Sequence, residues 1–593
     1  MGVPGFFAWL LKQYKSNDII LHDLPEDVRV DILYIDANCL FHPQCFKILR
    51  YFPEWSNVDN LHEKMIKRIL NYLDYLQDIV NPRRSIMISV DGVAPMAKMN
   101  QQRLRRYRSI DDMISREQIR KKHNKPISNR WSNTVITPGT EFMELLHNEL
   151  LKYIKRNTKV NIRYSSYHSP GEGEHKILND IRTRASCEQY KDEVYCVYGL
   201  DADLIFLSWA SQKSNIYLLR EANQLGHVAK SNVEYECIDA VKDVEEDLNF
   251  VSIDEMKQCF LDQCNMLIKK KMPNYKYDSS NAQNMSNDFI FVCYFLGNDF
   301  LPHLPSVDVN IGGLDIILDA YVSVYVTLQT NIIETDPDIS INTIFLEMFL
   351  EYISSREEYY FNKILPKFME QKNRRRCPTS DPYDREIWEI DNMRSREIEL
   401  IMKNDPIKLG VGKPNEWKFR YYEHYYKQSL NQTELISNLC EEYFKGLLWV
   451  AQYYFKGCPS WSWKYPYLYA PFISDICRHI KNNDVNYDDM KLEDSGYLNP
   501  CEQLLAVLPP ACSNLLPDSY KHLVLSSDSP IIDMFPREVE LDKLYKYKDF
   551  QCHPKIPQVD PNRLRQATAN LKLKHVEKVR NKIENEFNNG VKI

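Results

Sequence analysis

Carboxylates recur in this sequence at places where an apolar run ends. Asp36 follows VDILYI, Asp91 follows SIMISV, and Asp201 and Asp203 lie in VYGLDADLIFLS, which looks like a buried strand and its continuation. An ionised carboxylate that is withdrawn from water is costly unless something compensates its charge. These acids therefore need a partner close by.

Three further acids stand at comparable positions. Glu172 and Glu174, in SPGEGEHKI, mark the point where a predicted strand gives way to a helix, and Asp299 follows Gly297 at a predicted helix end. Only 17 of the 593 residues are glycine, below the usual share of about 7%. Because Gly173 and Gly297 flank these acids, we expect tight turns that aim the carboxylates inward.

Together these acids predict divalent-metal chemistry. Packed without cations, they would repel one another by on the order of several kcal/mol at an effective dielectric constant of about 20. Oxygen ligands select a hard ion such as Mg²⁺ or Mn²⁺, and two such ions about 4 Å apart suit in-line displacement at phosphorus. Any one acid alone is more often a helix cap or a complement to the helix dipole. The candidate catalytic and metal-binding set is Asp36, Asp91, Glu172, Glu174, Asp201, Asp203 and Asp299.

A basic stripe follows Asp91, in DGVAPMAKMNQQRLRRYRS. Lys98, Gln102, Arg105 and Arg106 recur at i, i+4, i+7 and i+8, so they share one face of a predicted helix. Forked arginine donors match phosphate oxygens, so this face suits a terminal phosphate next to the metals. A charge run of this kind is also typical of an ordinary solvated helix face.

Aromatic residues offer a second binding feature. His42 lies six residues after Asp36, and SWSWKYPYLYAPF at 460–472 places aromatic residues at alternate positions. A Trp and a His can sandwich bases of any identity, which contributes about 1–3 kcal/mol per stacked base. An aromatic stripe is, however, more often part of a core.

The elements that must position these residues alternate between strand and helix in the first part of the chain. This order is typical of a parallel α/β sheet covered on both faces, whose ligands bind beyond the carboxyl ends of the strands. Asp201 and Asp203 are expected in an extended segment, where a spacing of two puts them on one face. The predicted strands cover 30–35, 85–90, 160–166, 193–199 and 215–220, and predicted helices include 61–79, 141–155, 286–296 and 415–456.

Composition limits the possible functions. The net charge is 75 minus 82, or −7, so the chain as a whole is not a basic nucleic-acid binder, although ten Lys or Arg face three acids between Lys98 and Lys125. No apolar run approaches the roughly 18 residues that cross a bilayer. The fifteen cysteines show no zinc spacing, which predicts reduced thiols in an intracellular protein. A basic, proline-containing stretch, NRRRCPTSDPYD, predicts a linker at 371–414 between regions 1–370 and 415–593.

Several ordered motifs resemble the Xrn-type 5′→3′ exoribonuclease family. They are MGVPGFFAWL, IDANCLFH, DGVAPMAKMNQQRLRRYR, ITPGTEFM, GEGEHKI, GLDADLIFL and GNDFLPHLP. The resemblance implies a PIN-like α/β nuclease domain with a parallel sheet in 1–370, braced by a mostly helical second region in 415–593. It also implies processive release of 5′-mononucleotides from single-stranded RNA with a 5′-monophosphate, by a monomer with two Mg²⁺ or Mn²⁺ ions and no membrane contact. The implied location is cytoplasmic, with the nuclear branch open.

The resemblance also implies roles for individual residues. Ala8 and Met96 depart from it, because the family usually has arginine at both positions. The seven acids match the family's metal ligands, Lys98, Gln102, Arg105 and Arg106 match its 5′-phosphate residues, His42 and Trp463 match its stacking pair, and Pro95 would lie by the entering bases.

Two other functions remain open on the sequence. A structure-specific 5′ flap DNA nuclease shares a carboxylate-rich fold, although the Lys98 stripe and the region of Trp463 favour the exoribonuclease. A catalytically inactive RNA-binding scaffold is the second alternative. The presence of all seven acids argues against it, because loss of catalysis usually shows there first.

Overall fold

The computed structural model describes residues 6–14, 19–51, 58–126, 131–222, 239–276, 278–483 and 490–584. Its centre is a mixed β-sheet in the first half of the chain. The strands are β1 (Ile20–Leu21), β2 (Ile32–Asp36), β3 (Ser85–Ser89), β4 (Asn161–Ser165), β5 (Tyr195–Tyr198), β6 (Ile216–Glu221) and β7 (Leu248–Ser252), in the spatial order β1-β7-β6-β5-β2-β3-β4.

The five predicted strands form the parallel part of this sheet. β4, β3, β2, β5 and β6 run in one direction, whereas β7 and β1 add an antiparallel edge that the sequence analysis missed. Asp36 pairs with Ser89, and Ser89 with Ser165, so the carboxyl ends of β2, β3 and β4 are level. Residues from these three ends therefore meet at one edge of the sheet.

Helices cover both faces of the sheet. Along β2, Ile32 and Tyr34 enter one apolar core and Leu33 and Ile35 enter the other, as the alternation of side chains in a strand requires. The helices of this half are α1 (Phe6–Gln13), α2 (Ala37–Tyr51), α3 (Val58–Val80), α4 (Met96–Lys122), α5 (Glu141–Arg156), α6 (Gly173–Ala185), α7 (Asp203–Ala210), α8 (Ile253–Lys271), α9 (Ala282–Cys293), α10 (Gly313–Leu328) and α11 (Thr343–Ser354).

The second half is mostly helical, with two short hairpins. No helix in the described ranges has the length and apolar character that crossing a bilayer requires. The hairpins pair β8 (Ile333–Glu334) with β9 (Ser340–Ile341) and β10 (Leu541–Asp542) with β11 (His553–Pro554). The helices are α12 (Glu357–Tyr359), α13 (Leu365–Asn373), α14 (Pro382–Asp391), α15 (Arg396–Lys403), α16 (Pro414–Tyr426), α17 (Gln432–Phe455), α18 (Ile473–Asn482), α19 (Pro500–Val507), α20 (Lys521–Leu525), α21 (Pro561–Thr568) and α22 (His575–Arg580).

The two halves share one core. α17 inserts Tyr443, Leu447 and Tyr454 into the same apolar cluster that lines one face of the sheet. The predicted helix 415–456 is two helices, because Lys427 and Asn431 adopt positive φ values of 54° and 56° and reverse the chain between α16 and α17. This packing fixes α17 next to the carboxyl edge of the sheet.

The stretch predicted as a linker contains two helices, α14 and α15. α14 is fastened to α4 by two ion pairs, Arg116 to Asp391 at 2.5 Å and Lys122 to Glu386 at 2.9 Å. The division into 1–370, 371–414 and 415–593 stays a prediction, but the middle stretch has its own secondary structure and contacts.

Candidate active site

The carboxyl edge of the sheet gathers the predicted acids from several elements. Asp36 is the last residue of β2, Asp91 lies two residues beyond β3, and Asp299 follows the short helical turn after α9. Glu172 is the N-cap of α6 and Glu174 lies in its first turn, as predicted. Most of these side chains are buried, although Asp and Glu are rarely buried in proteins unless they are paired.

Asp201 and Asp203 reach this edge in a different way from the one predicted. β5 ends at Tyr198, the chain turns, and Asp203 is the first residue of α7, with its N–H donating to Asp201 Oδ1 at 3.2 Å. The expectation of an extended segment is therefore wrong. Every residue of α7 is buried, so its continuous apolar run carries no helical periodicity that could distinguish it from a strand.

Gly173 lets α6 approach the acids closely. Its N–H donates to Asp91 Oδ1 at 2.7 Å. A Cβ at this position would lie 3.0 Å from Asp36 Oδ1 and 3.3 Å from Asp91 Oδ1. A side chain here would crowd both carboxylates, so the glycine permits their convergence with the N-terminus of a helix, which itself favours negative charge.

Lys98 lies among the acids. Its Nζ is 2.5 Å from Glu172 Oε2 and 2.7 Å from Asp299 Oδ2. Burial lowers the pKa of Lys98, but Asp299 and Glu172 outweigh burial and raise it well above the ordinary value. Tyr453, from α17, donates its hydroxyl to Glu172 Oε1 at 2.9 Å. The ammonium therefore offsets part of the negative charge of the cluster.

The remaining negative charge perturbs the acids themselves. Burial, and then the charge of Asp91, raises the pKa of Asp36 to about 7. Burial, and then Asp201, raises the pKa of Asp203 to about 7. The pKa of Glu174 is raised well above its ordinary value by burial and then by Asp201. Without further cations, these carboxyls retain protons near neutral pH.

The donor set fits a hard cation. Glu174 Oε2 and Asp203 Oδ1 are buried carboxylate oxygens without a hydrogen-bond partner in the described part of the chain. Such oxygens are costly to bury unless a cation or donor meets them. Within the same ranges, no three His, Cys, Asp or Glu side chains are already grouped around one point as metal ligands.

The predicted basic stripe lies on α4, and its residues differ in burial. Arg105 is exposed, whereas Arg106 donates from Nη2 to Thr137 Oγ1 at 2.8 Å, and burial lowers its pKa to about 9. Arg106 Nη1 and Gln102 Oε1 are buried and have no partner among the described residues. An ordinary solvated helix face does not account for Arg106.

His42 lies on α2, near the end of this stripe. Burial, followed by the charges of Arg105 and Arg106, lowers the pKa of His42 to about 4. His42 is therefore neutral at physiological pH, which suits a ring that stacks. Pro95 is buried and is the N-cap of α4.

Trp463 comes from the second half of the chain. The carbonyl of Trp461 accepts the N–H of Met96 at 2.9 Å, which fastens this aromatic segment to the start of α4. Trp463 stacks on Trp449 with ring centroids 5.4 Å apart. A Cβ on Gly446 would lie 2.4 Å from Leu301 and 3.1 Å from Trp463. The indole is therefore next to the segment that carries Asp299.

Comparison with known proteins identifies the family. Residues 1–222 match the family model of the XRN 5'-3' exonuclease N-terminus, and residues 279–399 and 390–588 match that of the Xrn1 helical domain. The chain belongs to the Xrn 5'-3' exonuclease family. The family resemblance and the PIN-like fold with a helical second region are thereby confirmed.

Similar proteins carry matching names. 5'-3' exoribonuclease 1 of Homo sapiens is 32% identical over 98% of this chain and 35% of its own length. 5'-3' exoribonuclease 2 of Arabidopsis thaliana is 28% identical over 96% of the chain and 67% of its own length. 5'-3' exoribonuclease 1 of Saccharomyces cerevisiae is 29% identical over 98% of the chain and 44% of its own length. The chain therefore spans about a third to two thirds of these Xrn relatives.

The Xrn-type site also contains residues that the sequence analysis did not find. Cys39 donates its thiol to Asp36 Oδ2 at 2.8 Å, and Gln101 donates from Nε2 to Asp299 Oδ1 at 3.4 Å. Cys39 lies three residues after Asp36 in the first turn of α2, a spacing that the sequence does show. Tyr453 lies 281 residues from Glu172, so only the packing of α17 reveals their contact.

Proposed function

We propose that this chain is a processive 5′→3′ exoribonuclease that hydrolyses single-stranded RNA with a 5′-monophosphate, one nucleotide at a time, as a cytoplasmic monomer. The observation that supports it most is that buried carboxylates converge at the sheet edge where α4 begins. Some of them precede α4 in the sequence and others follow it. Such an edge is where ligands bind in α/β sheets.

In this proposal two Mg²⁺ or Mn²⁺ ions would be held by Asp36, Asp91, Glu172, Glu174, Asp201, Asp203 and Asp299. Bound there, they supply Lewis-acid activation of water and stabilisation of the leaving oxygen. The chain's part is to hold the oxygens in place: Gly173 sets the approach of α6, and the Tyr453 hydroxyl orients Glu172. The buried position of these groups limits access of bulk water.

The 5′ end of the RNA would be recognised by Lys98, Gln102, Arg105 and Arg106. Arg106 is pre-positioned by Thr137 and keeps Nη1 available in a buried place, so an incoming phosphate gains a charge-assisted hydrogen bond. Each cleavage leaves a new 5′-monophosphate. The same residues would therefore select the substrate and draw the strand forward.

The first bases would stack between His42 and Trp463, with Pro95 beside them. Trp463 stacks on Trp449, which supports its indole ring. The ring of His42 is neutral, so stacking does not require the desolvation of a charge. Stacking of this kind accepts any base, as processive degradation requires.

One experiment separates the candidate functions. End-labelled 5′-phosphorylated RNA, 5′-hydroxyl RNA and 5′-flap DNA are incubated with the protein in Mg²⁺ or in EDTA. We expect mononucleotides from the 5′-phosphorylated RNA in Mg²⁺ alone. Preferential cutting of the flap would favour the DNA nuclease, and binding of RNA with no cleavage in Mg²⁺ or Mn²⁺ would favour the inactive scaffold.

Replacing Trp463 by alanine is expected to reduce processivity more than the rate of the first cleavage. Without the indole, the RNA loses about 1–3 kcal/mol of stacking free energy each time it is repositioned, so it dissociates more often between cleavages. Product lengths are measured in single-encounter reactions with excess competitor RNA. Trp461→Ala is the matched control, because its carbonyl contact to Met96 survives the change. If Trp461→Ala shortens the products of one binding event and Trp463→Ala leaves them unchanged, the stacking residue is Trp461 and the assignment to Trp463 is wrong.

Magnesium is expected to stabilise the protein more at high pH than at low pH. The folded-state pKa values of Asp36 and Asp203, raised to about 7, mean that the folded metal-free protein holds more protons than the unfolded chain between about pH 4 and 7. Its stability therefore falls as pH rises through that window. Metal binding must displace these protons. The affinity for Mg²⁺ therefore rises as pH rises through the same window, by up to about tenfold per pH unit for each proton displaced.

The measurement is the rise in melting temperature caused by Mg²⁺, at about pH 6 and at about pH 8, in buffers of equal ionic strength. The Asp36→Asn, Asp203→Asn double variant is the control and should lose most of the rise at both pH values. An equal rise in the unmodified protein at both pH values would contradict the prediction.

A further inference from the structure

Lys176 is a buried lysine to which the proposed reaction gives no role. It lies on α6, two residues after Glu174, and is 5% exposed. Its Nζ donates to the carbonyl of Val90 at 2.7 Å and to the carbonyl of Ser166 at 3.1 Å. Both partners that the described ranges provide are therefore backbone oxygens. Lysine is almost never fully buried unless it is paired, so this position needs a physical reason.

The two carbonyls belong to the ends of neighbouring strands. Val90 follows β3 and directly precedes Asp91. Ser166 follows β4 and begins the loop that leads to Glu172. β3 and β4 are parallel neighbours, and α6 carries Glu174 in its first turn. One nitrogen from α6 therefore joins the segments from which Asp91, Glu172 and Glu174 project.

Backbone contacts reinforce the same junction. The N–H of Gly92 donates to the carbonyl of Gly171 at 2.9 Å, and the N–H of Gly171 donates to the carbonyl of Val93 at 2.8 Å. A Cβ on Gly171 would lie 3.7 Å from both Cγ and Cε of Lys176, so the aliphatic stem of the lysine packs against this glycine. The loops after β3 and β4 thus hold each other, and the Lys176 side chain fixes α6 against both.

The contacts of Lys176 act through geometry and do not require its charge. Burial lowers the pKa of Lys176 to about 7. A neutral amine still has two N–H donors, one for each carbonyl. Replacing the amine by a group without donors would withdraw a hydrogen bond from two buried carbonyls, which is unfavourable and releases α6 from the strand ends.

The spacing of the acids matters because magnesium is exacting. Mg²⁺ requires near-ideal octahedral geometry with oxygens about 2.0–2.1 Å away, so a small displacement of a carboxylate weakens binding. Groups that orient metal ligands without touching the metal typically contribute about 10- to 100-fold to metal affinity or activity. A group that fixes two ligand-bearing segments against each other is expected to act in this way.

We propose that Lys176 is a positioning residue of the candidate active site: its two hydrogen bonds set the distance between Asp91 and the first turn of α6, and with it the affinity for divalent ions. The inference rests on the proposed function, which assigns Asp91, Glu172 and Glu174 to the metals. It deepens that function by naming the group that holds these acids at their spacing.

The test is Lys176→Met, which keeps an unbranched stem but has no N–H donor. Mn²⁺ binding is followed by electron paramagnetic resonance of the free ion, and the Asp36→Asn, Asp203→Asn variant gives the background from other sites. We expect the Kd for Mn²⁺, and the Mg²⁺ concentration that gives half-maximal cleavage, each to rise about tenfold. The cleavage rate at saturating Mg²⁺ and the Kd of 5′-phosphorylated RNA in EDTA should stay unchanged.

Lys213 provides a matched control at the opposite edge of the sheet. It is 7% exposed, and its Nζ donates to the carbonyls of Lys191, Glu193 and Ser214 at 2.8, 2.6 and 2.8 Å. These carbonyls precede β5 and β6, so they lie at the amino ends of the strands. Lys213→Met removes the same kind of hydrogen bond and should lower the melting temperature at least as much as Lys176→Met, but it should leave the Kd for Mn²⁺ unchanged.

A second variant, Lys176→Gln, keeps an N–H donor on a shorter side chain. It should raise the Kd for Mn²⁺ less than Lys176→Met does, and it provides the measurement if Lys176→Met does not fold. An unchanged Kd for Mn²⁺ in the folded Lys176 variants would overturn the inference. An equal rise in Lys213→Met would also overturn it, because Lys176 would then only support the fold. Absence of cleavage by the unmodified protein in Mg²⁺ and Mn²⁺ would instead count against the proposed function, since Mn²⁺ binding does not need hydrolysis.

Discussion

Asp203→Ala is expected to lower the rate of RNA cleavage by at least about a thousandfold while the Kd for 5′-phosphorylated RNA changes little. Asp203 is 3% exposed, begins α7 and keeps Oδ1 without a hydrogen-bond partner in the described ranges. In the proposal this oxygen binds metal, so its loss affects the transition state more than substrate binding. Single-turnover cleavage in Mg²⁺ and anisotropy in EDTA are the two measurements.

Two companion variants make this result specific. Asp203→Asn keeps the shape of the side chain but removes its charge, so it should lose activity to a similar extent and separate ligand loss from a packing defect. Asp262→Ala removes an exposed carboxylate on α8 and should leave cleavage unchanged. Turnover like that of the unmodified protein in Asp203→Ala would exclude Asp203 as a metal ligand.

The sequence predicted the parallel strands and the acids at their ends because both signals are local. An apolar run followed by an acid, as in VDILYI before Asp36, needs no tertiary information. The helix that begins at Asp203 was missed because LIFLSWA is buried on all sides, so its pattern carries no period. The edge strand β7 was missed because it is only five residues long and Asn249 interrupts its apolar residues, so LNFVS has no clear strand pattern.

Tertiary contacts also changed the role of predicted residues. From its spacing Lys98 was assigned to the 5′-phosphate, whereas in the structure its ammonium contacts Glu172 and Asp299. Helical spacing identifies which residues share a face but not what that face meets. The two assignments are compatible if metal binding frees the ammonium from the carboxylates, since the ions would then supply the positive charge that Lys98 now provides.

Arg106→Ala is expected to lower kcat/KM for 5′-phosphorylated RNA by about a hundredfold and to narrow its advantage over 5′-hydroxyl RNA. A buried guanidinium with one available donor is unfavourable without an anion, and a 5′-monophosphate supplies that anion with a charge-assisted hydrogen bond. A 5′-hydroxyl leaves the donor unpaired, so removing Arg106 should affect that substrate much less. Both substrates are measured side by side with both proteins.

The choice of variants determines what the ratio of the two kcat/KM values means. Arg106→Lys keeps the charge but loses the forked donors that also bind Thr137, so it should restore part of the preference for 5′-phosphate. Lys121→Ala removes an exposed cation from the same helix and should leave the ratio unchanged. If Arg106→Ala reduces activity on both substrates equally, Arg106 supports the fold through Thr137 and does not read the end of the RNA. A selective loss on 5′-phosphorylated RNA cannot come from such a structural role, because both substrates meet the same folded protein.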